Sequence, residues 1–77
     1  LPKLAVVEHL GKVVRWEVDE GWGILESAAV DGPIWAHYSM IEAEGFRFLT
    51  AGDQVRFTVE RAEQDGCHWR AIQVRAV

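Results

Sequence analysis

An all-β fold, with five short strands closed into a small barrel, is what this sequence of 77 residues predicts. Three observations carry the prediction. Turn signals rich in glycine cut the chain into runs that leave no room for a long helix. Residues 54 to 60 alternate cleanly: Val55, Phe57 and Val59 share one face and Arg56, Thr58 and Glu60 the other, the pattern of a half-buried strand. A longer connection separates the third run from the fourth, and closing the sheet removes edges that would otherwise invite aggregation.

The elements follow in order. Residues 1 to 10 read as an N-terminal extension and residues 11 to 77 as one domain. Leu1 stands where a native start would carry Met, which points to a trimmed or processed chain. The first run is about Lys12 to Val18, and Asp19-Glu20-Gly21 turns it into a second run from Trp22 to about Ser27. Val30-Asp31-Gly32-Pro33 is the next turn, and Ile34 to His37 the third run. Tyr38 to Ile41 has room for one helical turn, and Glu42 to Gly52 reads as a long surface loop. The fourth run starts at Gln54, and Gln64-Asp65-Gly66 leads into a fifth from Cys67 to Arg75.

Parity within these runs predicts a core of Val14, Leu25, Ile34, Ala36, Val55, Phe57, Val59, Ile72 and Val74, capped by Leu49 and Ile41. Trp16 has the parity of Val14, which predicts an inward ring. Trp69 has the opposite parity to Ile72 and Val74, which predicts an outward one. Strand counting alone leaves two five-stranded barrels open, the OB-fold and the Src-homology type.

Composition narrows the function classes. Hydrophobic content of 49% and charged content of 26% are ordinary for a soluble globular domain. Cys67 is the single cysteine, so no internal disulfide forms, and the expected setting is reducing, intracellular and cytoplasmic. No apolar run is long enough to span a membrane, and residues 1 to 10 lack a signal-peptide pattern. His9, His37 and His68 are widely separated and show no metal-ligand spacing with Cys67. Cys67 and His68 are strand neighbours and point to opposite faces, so they form no catalytic pair. Gly21-Trp22-Gly23 opens no helix and is no phosphate loop. The expectation is a non-enzyme without metal or cofactor.

Two segments point to a binding function instead: Gly21-Trp22-Gly23-Ile24-Leu25 and Ile34-Trp35-Ala36-His37-Tyr38. Residues two apart on a strand share a face. Leu25, Ile34 and Ala36 fill the inward positions, which leaves Trp22, Ile24, Trp35 and His37 facing out together. Exposed rings of this kind stack on unpaired nucleobases. The net charge of −4 counts against simple phosphate binding, although the sign of one face matters more than the sum. Six of the eight basic residues are arginine, which stacks on bases as well as meeting phosphates.

These motifs resemble the cold-shock domain, whose two ribonucleoprotein-type motifs read roughly Lys-Gly-Phe-Gly-Phe-Ile and Val-Phe-Val-His-Phe. Gly11-Lys12-Val13-Val14-Arg15-Trp16 is similar to the family's opening Gly-x-Val-Lys-Trp with one residue added. Ser39-Met40-Ile41, Gly45-Phe46-Arg47-Phe48-Leu49, Ala51-Gly52-Asp53-Gln54-Val55-Arg56-Phe57 and Ala71-Ile72-Gln73-Val74 match further family segments in order, so the likeness covers roughly residues 11 to 75. The resemblance implies the OB-fold, a five-stranded antiparallel Greek-key barrel. It implies binding of single-stranded RNA or DNA with low sequence preference, loosely for pyrimidine-rich strands, and a role as RNA chaperone or regulator of transcription or translation under cold or other stress. It implies stacking by Phe46 and places Trp16 on the binding face, against the parity of that residue. Tyr38 is an additional stacker, and Lys12 and Arg15 are candidates for phosphate contact.

Departures from the family predict weaker binding. Glu20 replaces the lysine before the first motif, and Glu17 and Asp19 add charge to the same turn. The segment from Trp16 to Gly21 is one residue short, the second aromatic after the tryptophan is missing, and Ile24 replaces a stacking phenylalanine. Trp22 and Trp35, larger than the usual phenylalanines, act the other way. The acidic turn beside exposed tryptophans also suits a protein-interaction module on a degenerate scaffold, or a homodimer that buries the aromatic face.

Overall fold

The computed structural model describes residues 7–43 and 48–77. Five strands form a closed all-β barrel in the order β1-β2-β3-β5-β4, consistent with an OB-fold. β1 is His9–Glu17, β2 Trp22–Glu26, β3 Ile34–His37, β4 Gln54–Gln64 and β5 Cys67–Ala76, with a 3₁₀ turn at Tyr38–Met40. β1 takes in His9 and Leu10, and β4 continues past Glu60 into a long hairpin with β5. Asp65 and Gly66 turn that hairpin with positive φ values of 49° and 83°, where aspartate is tolerated and glycine favoured.

Strand direction dictates the closing contact. β1 pairs antiparallel with both β2 and β4, β2 with β3, and β4 with β5. β3 and β5 therefore both run with β1, and where they meet they must pair parallel. They do so over two register pairs, Ile34 with Trp69 and Trp35 with Arg70. The barrel is thus antiparallel everywhere except at this seam.

Leu25, Ile34, Ala36, Val55, Phe57 and Val74 are buried as the alternation predicts, and Ile41 and Leu49 join them. Val59 is half-buried against the same cluster. Two expected core residues lie outside it. Val14 is 48% exposed and Ile72 41%, while their neighbours Val13 and Ala71 are buried instead. Both displacements have one cause. Val13 pairs with Leu25 and Arg15 with Ile24, so Val14 is an extra residue that bulges out of β1. Thr58 pairs with Gln73 and Val59 with Ala71, so Ile72 bulges out of β5. A bulge leaves one residue unpaired and reverses the parity beyond it. The reversal also turns Trp69 inward, where its ring packs on the core and its Nε1 donates to the Asp31 carbonyl at 2.9 Å.

One ion pair ties the start of the described chain to the last strand. Arg75 donates to both carboxylate oxygens of Glu8 at 2.9 and 3.0 Å. This hydrogen-bonded guanidinium holds the Glu8 carboxyl below its ordinary value, with the charge of Arg75 as a smaller cause. A carboxylate so lowered stabilises the fold at neutral pH and loses that contribution as pH falls through the lowered value. Glu8→Gln should therefore melt below the wild type at pH 7 and together with it at pH 2–3, measured by circular dichroism. The difference should be small, because both side chains are partly exposed.

Candidate nucleic-acid interface

The register between β1, β2 and β3 decides which side chains share a surface. Trp22 pairs with His37 and Ile24 with Trp35, while Gly23 pairs with buried Ala36 and Leu25 with buried Ile34. Trp22, Ile24, Trp35 and His37 therefore stand together on the outer face, all half-buried. Trp35 and His37 are stacked at 5.7 Å with planes 24° apart, and His37 meets the Tyr38 ring at 4.5 Å. Trp35, His37 and Tyr38 thus make one continuous row of rings, of which Tyr38 is exposed.

Local chemistry fixes this row. His37 caps the 3₁₀ turn, and its Nδ1 accepts from the Ser39 N–H at 3.3 Å and lies 2.8 Å from the Ser39 hydroxyl. An Nδ1 that accepts carries no proton, so Nε2 is the ring's donor. Gly21 has φ of 79°, and a Cβ there would stand 2.7 Å from the Tyr38 ring. Its carbonyl also accepts from the Tyr38 N–H at 2.7 Å. Glycine is thus needed both for the turn and for the seating of Tyr38. The Nε1 of Trp35 is buried with no hydrogen-bond partner among the described residues. Trp35 offers a ligand its ring and not its N–H.

Trp16 and Arg15 lie on opposite faces. Trp16 pairs with Gly23 and packs partly buried against the core. Arg15 pairs with Ile24 on the outer face, and its guanidinium carbon sits 4.9 Å from the Trp22 ring centre. The inward reading of Trp16 is the one the register gives, although Val14, whose parity suggested it, is the bulge. Counted from Gly11, the residue added before Trp16 and the residue missing after it cancel. Arg15 stands where a tryptophan four residues after Gly11 would stand. A one-residue shift along a strand exchanges faces. Gly23 accommodates the displaced ring: a Cβ there would overlap Cε3 of Trp16 and stand 2.5 Å from the Arg15 carbonyl oxygen. Gly23→Ala should cost about 1–3 kcal/mol through overpacking, a fall in Tm of about 4–24 °C for a domain of this size. A Tm within 2 °C of wild type would show that the Trp16 ring and the Arg15 carbonyl both give way freely.

Cations around the platform have acidic neighbours. Arg15 Nε is 4.0 Å from Glu17. Arg70, in register beside Trp35, donates through Nε to Glu60 at 2.9 Å and through a terminal nitrogen as well. Lys12 is exposed and pairs in register with Glu26. The Trp22 Nε1 is 3.5 Å from Glu20, a long contact. Phe46 lies outside the described residues. No group of three or more His, Cys, Asp or Glu positioned to hold a metal occurs among the described residues. Burial pushes the Cys67 thiol up, with Asp65 a smaller cause, which disfavours the reactive thiolate. No helix of the described residues is long and apolar enough to cross a membrane.

A closed five-stranded barrel with rings on the outer face of β2 and β3 is an arrangement that nucleic-acid-binding domains use. The family model described as "'Cold-shock' DNA-binding domain" matches residues 9–77, and the chain belongs to the cold-shock domain family. It is similar to a cold shock-like protein CspD of Haemophilus influenzae, 40% identical over 57 residues, 73% of this chain and 78% of that one. It is also similar to a cold shock-like protein CspD of Vibrio cholerae, 45% identical over 49 residues, 62% of this chain and 64% of that one. Nucleic-acid binding is the property of the family.

Proposed function

We propose that this chain binds unpaired RNA or DNA by stacking bases on Trp22, Trp35, His37 and Tyr38, with low sequence preference and without catalysis. The observation that carries the reading is the row from Trp35 through His37 to Tyr38, on an outer face that core packing leaves free. Ile24 supplies apolar contact between Trp22 and Trp35, and Arg15 a cation on the same face. Each stacked base contributes about 1–3 kcal/mol, so two or three stacks give roughly micromolar affinity when ordering costs are small. Phosphate attraction adds little, because Arg15 and Arg70 face carboxylates. Binding energy for the open strand also shifts weak RNA hairpins toward melting without ATP. That supports a role as an RNA chaperone or as a regulator of transcription or translation in the cytoplasm.

Titration with a single-stranded hexanucleotide tests the reading. Tryptophan fluorescence should quench saturably, with a Kd in the micromolar range and only a shallow dependence on salt. No change at tens of micromolar in low salt would overturn it and favour a basic protein partner at the acidic turn. Self-association in sedimentation without ligand would instead point to a homodimer through the aromatic face.

A further inference from the structure

We infer that Arg15 makes this platform selective for guanine beside Trp22. The inference rests on the nucleic-acid reading above and adds one position of preference to an otherwise tolerant face.

The guanidinium lies over the Trp22 ring. Its carbon is 4.9 Å from the ring centre, a cation–π contact. A guanidinium is smaller than an indole, so part of the double ring stays uncovered. A base stacked on that remainder occupies the same layer as the guanidinium. It meets Arg15 edge to edge rather than face to face.

What the edge offers then decides the base. The Arg15 side chain makes no hydrogen bond to any other described residue, and its one ion contact is the 4.0 Å approach of Nε to Glu17. Its side chain is 57% exposed. The fork of terminal N–H groups is unspent. Guanidinium donates in a rigid pair and is best met by two adjacent acceptors. Guanine presents O6 and N7 in that arrangement. Adenine sets an N6 donor beside N7, and thymine or uracil sets an N3 donor beside each keto oxygen, so neither accepts both bonds. Unpaired cytosine has adjacent N3 and O2 acceptors but a smaller ring to stack. Glu17 pairs in register with Trp22 and is an acceptor on the same face, suited to the N1 and N2 donors of guanine.

The test uses an all-thymine DNA hexamer and a set of hexamers with one thymine replaced in turn by guanine, adenine or 7-deazaguanine, titrated by tryptophan fluorescence. Guanine at one position should tighten Kd at least fivefold over thymine and over adenine there. 7-Deazaguanine, which lacks N7, should lose most of the gain. Arg15→Lys keeps the charge but not the fork, and should bind all hexamers within about twofold of one another. Equal gains from guanine and adenine would overturn the inference in favour of simple ring size. A guanine gain undiminished in Arg15→Lys would overturn it as well. Binding of the thymine hexamer with no guanine gain sinks this inference alone, whereas no binding by any hexamer sinks the parent reading with it.

Discussion

Trp35→Ala should weaken binding of a single-stranded hexanucleotide about 5- to 150-fold, the Kd change that corresponds to losing one stacked base at about 1–3 kcal/mol. Trp35 is the large ring at one end of the row: it stacks on His37, pairs with Ile24 and borders Arg70. Its removal takes away the largest ring of the row. The fold should survive, because the ring is half-buried and absent from the buried core cluster. Trp35→Phe should recover most of the affinity, since a smaller ring still stacks. Circular dichroism of Trp35→Ala should match wild type, and fluorescence from the remaining tryptophans, or anisotropy of a labelled strand, reads the binding. A folded Trp35→Ala protein within twofold of wild-type affinity would remove Trp35 from the stacking mechanism.

Phe57→Ala carries the largest expected effect on stability. Phe57 is fully buried and heads the large side chains of the core. Its ring reaches from β4 to β1, where it lies 5.9 Å from the His9 ring and 2.9 Å from where a Cβ on Gly11 would stand. Truncating a buried phenylalanine costs about 3–5 kcal/mol. A domain of this length holds only about 4–12 kcal/mol in total. Tm should fall by at least about 12 °C, and much of the protein should be unfolded at 37 °C. Phe57→Leu, which removes less volume, should fall between the two. Thermal melts followed at 222 nm and by tryptophan emission read the outcome. A loss of under 5 °C in Phe57→Ala would mean that the barrel collapses around the space and that Phe57 is not its centre.

The strands and the outer platform were legible in the sequence because both depend on short-range pattern. Gly21, Gly32 and Gly66 adopt positive φ in turns the composition marks, and alternation places Leu25, Ile34 and Ala36 inward and so Trp22, Trp35 and His37 outward. Val14, Ile72 and Trp69 were misplaced because nothing in a side chain announces a bulge. An extra residue is visible only once the partner strand is known, and every parity beyond it reverses. The faces of Arg15 and Trp16 could have been found by counting length from Gly11 rather than by matching tryptophan to tryptophan. The pairing of cations with Glu17 and Glu60 depends on register across strands, which no local pattern carries.

The parallel seam between β3 and β5 has a consequence for how a guest and the barrel influence each other. A closure with so few paired residues is one place where thermal breathing should begin. Trp35 belongs to that closure and to the stacking surface at once. A strand of bases held on Trp35 would favour the shut form, and mass action then makes occupancy and tightness a single linked equilibrium. Nucleic acid would then act as the clasp of that closure.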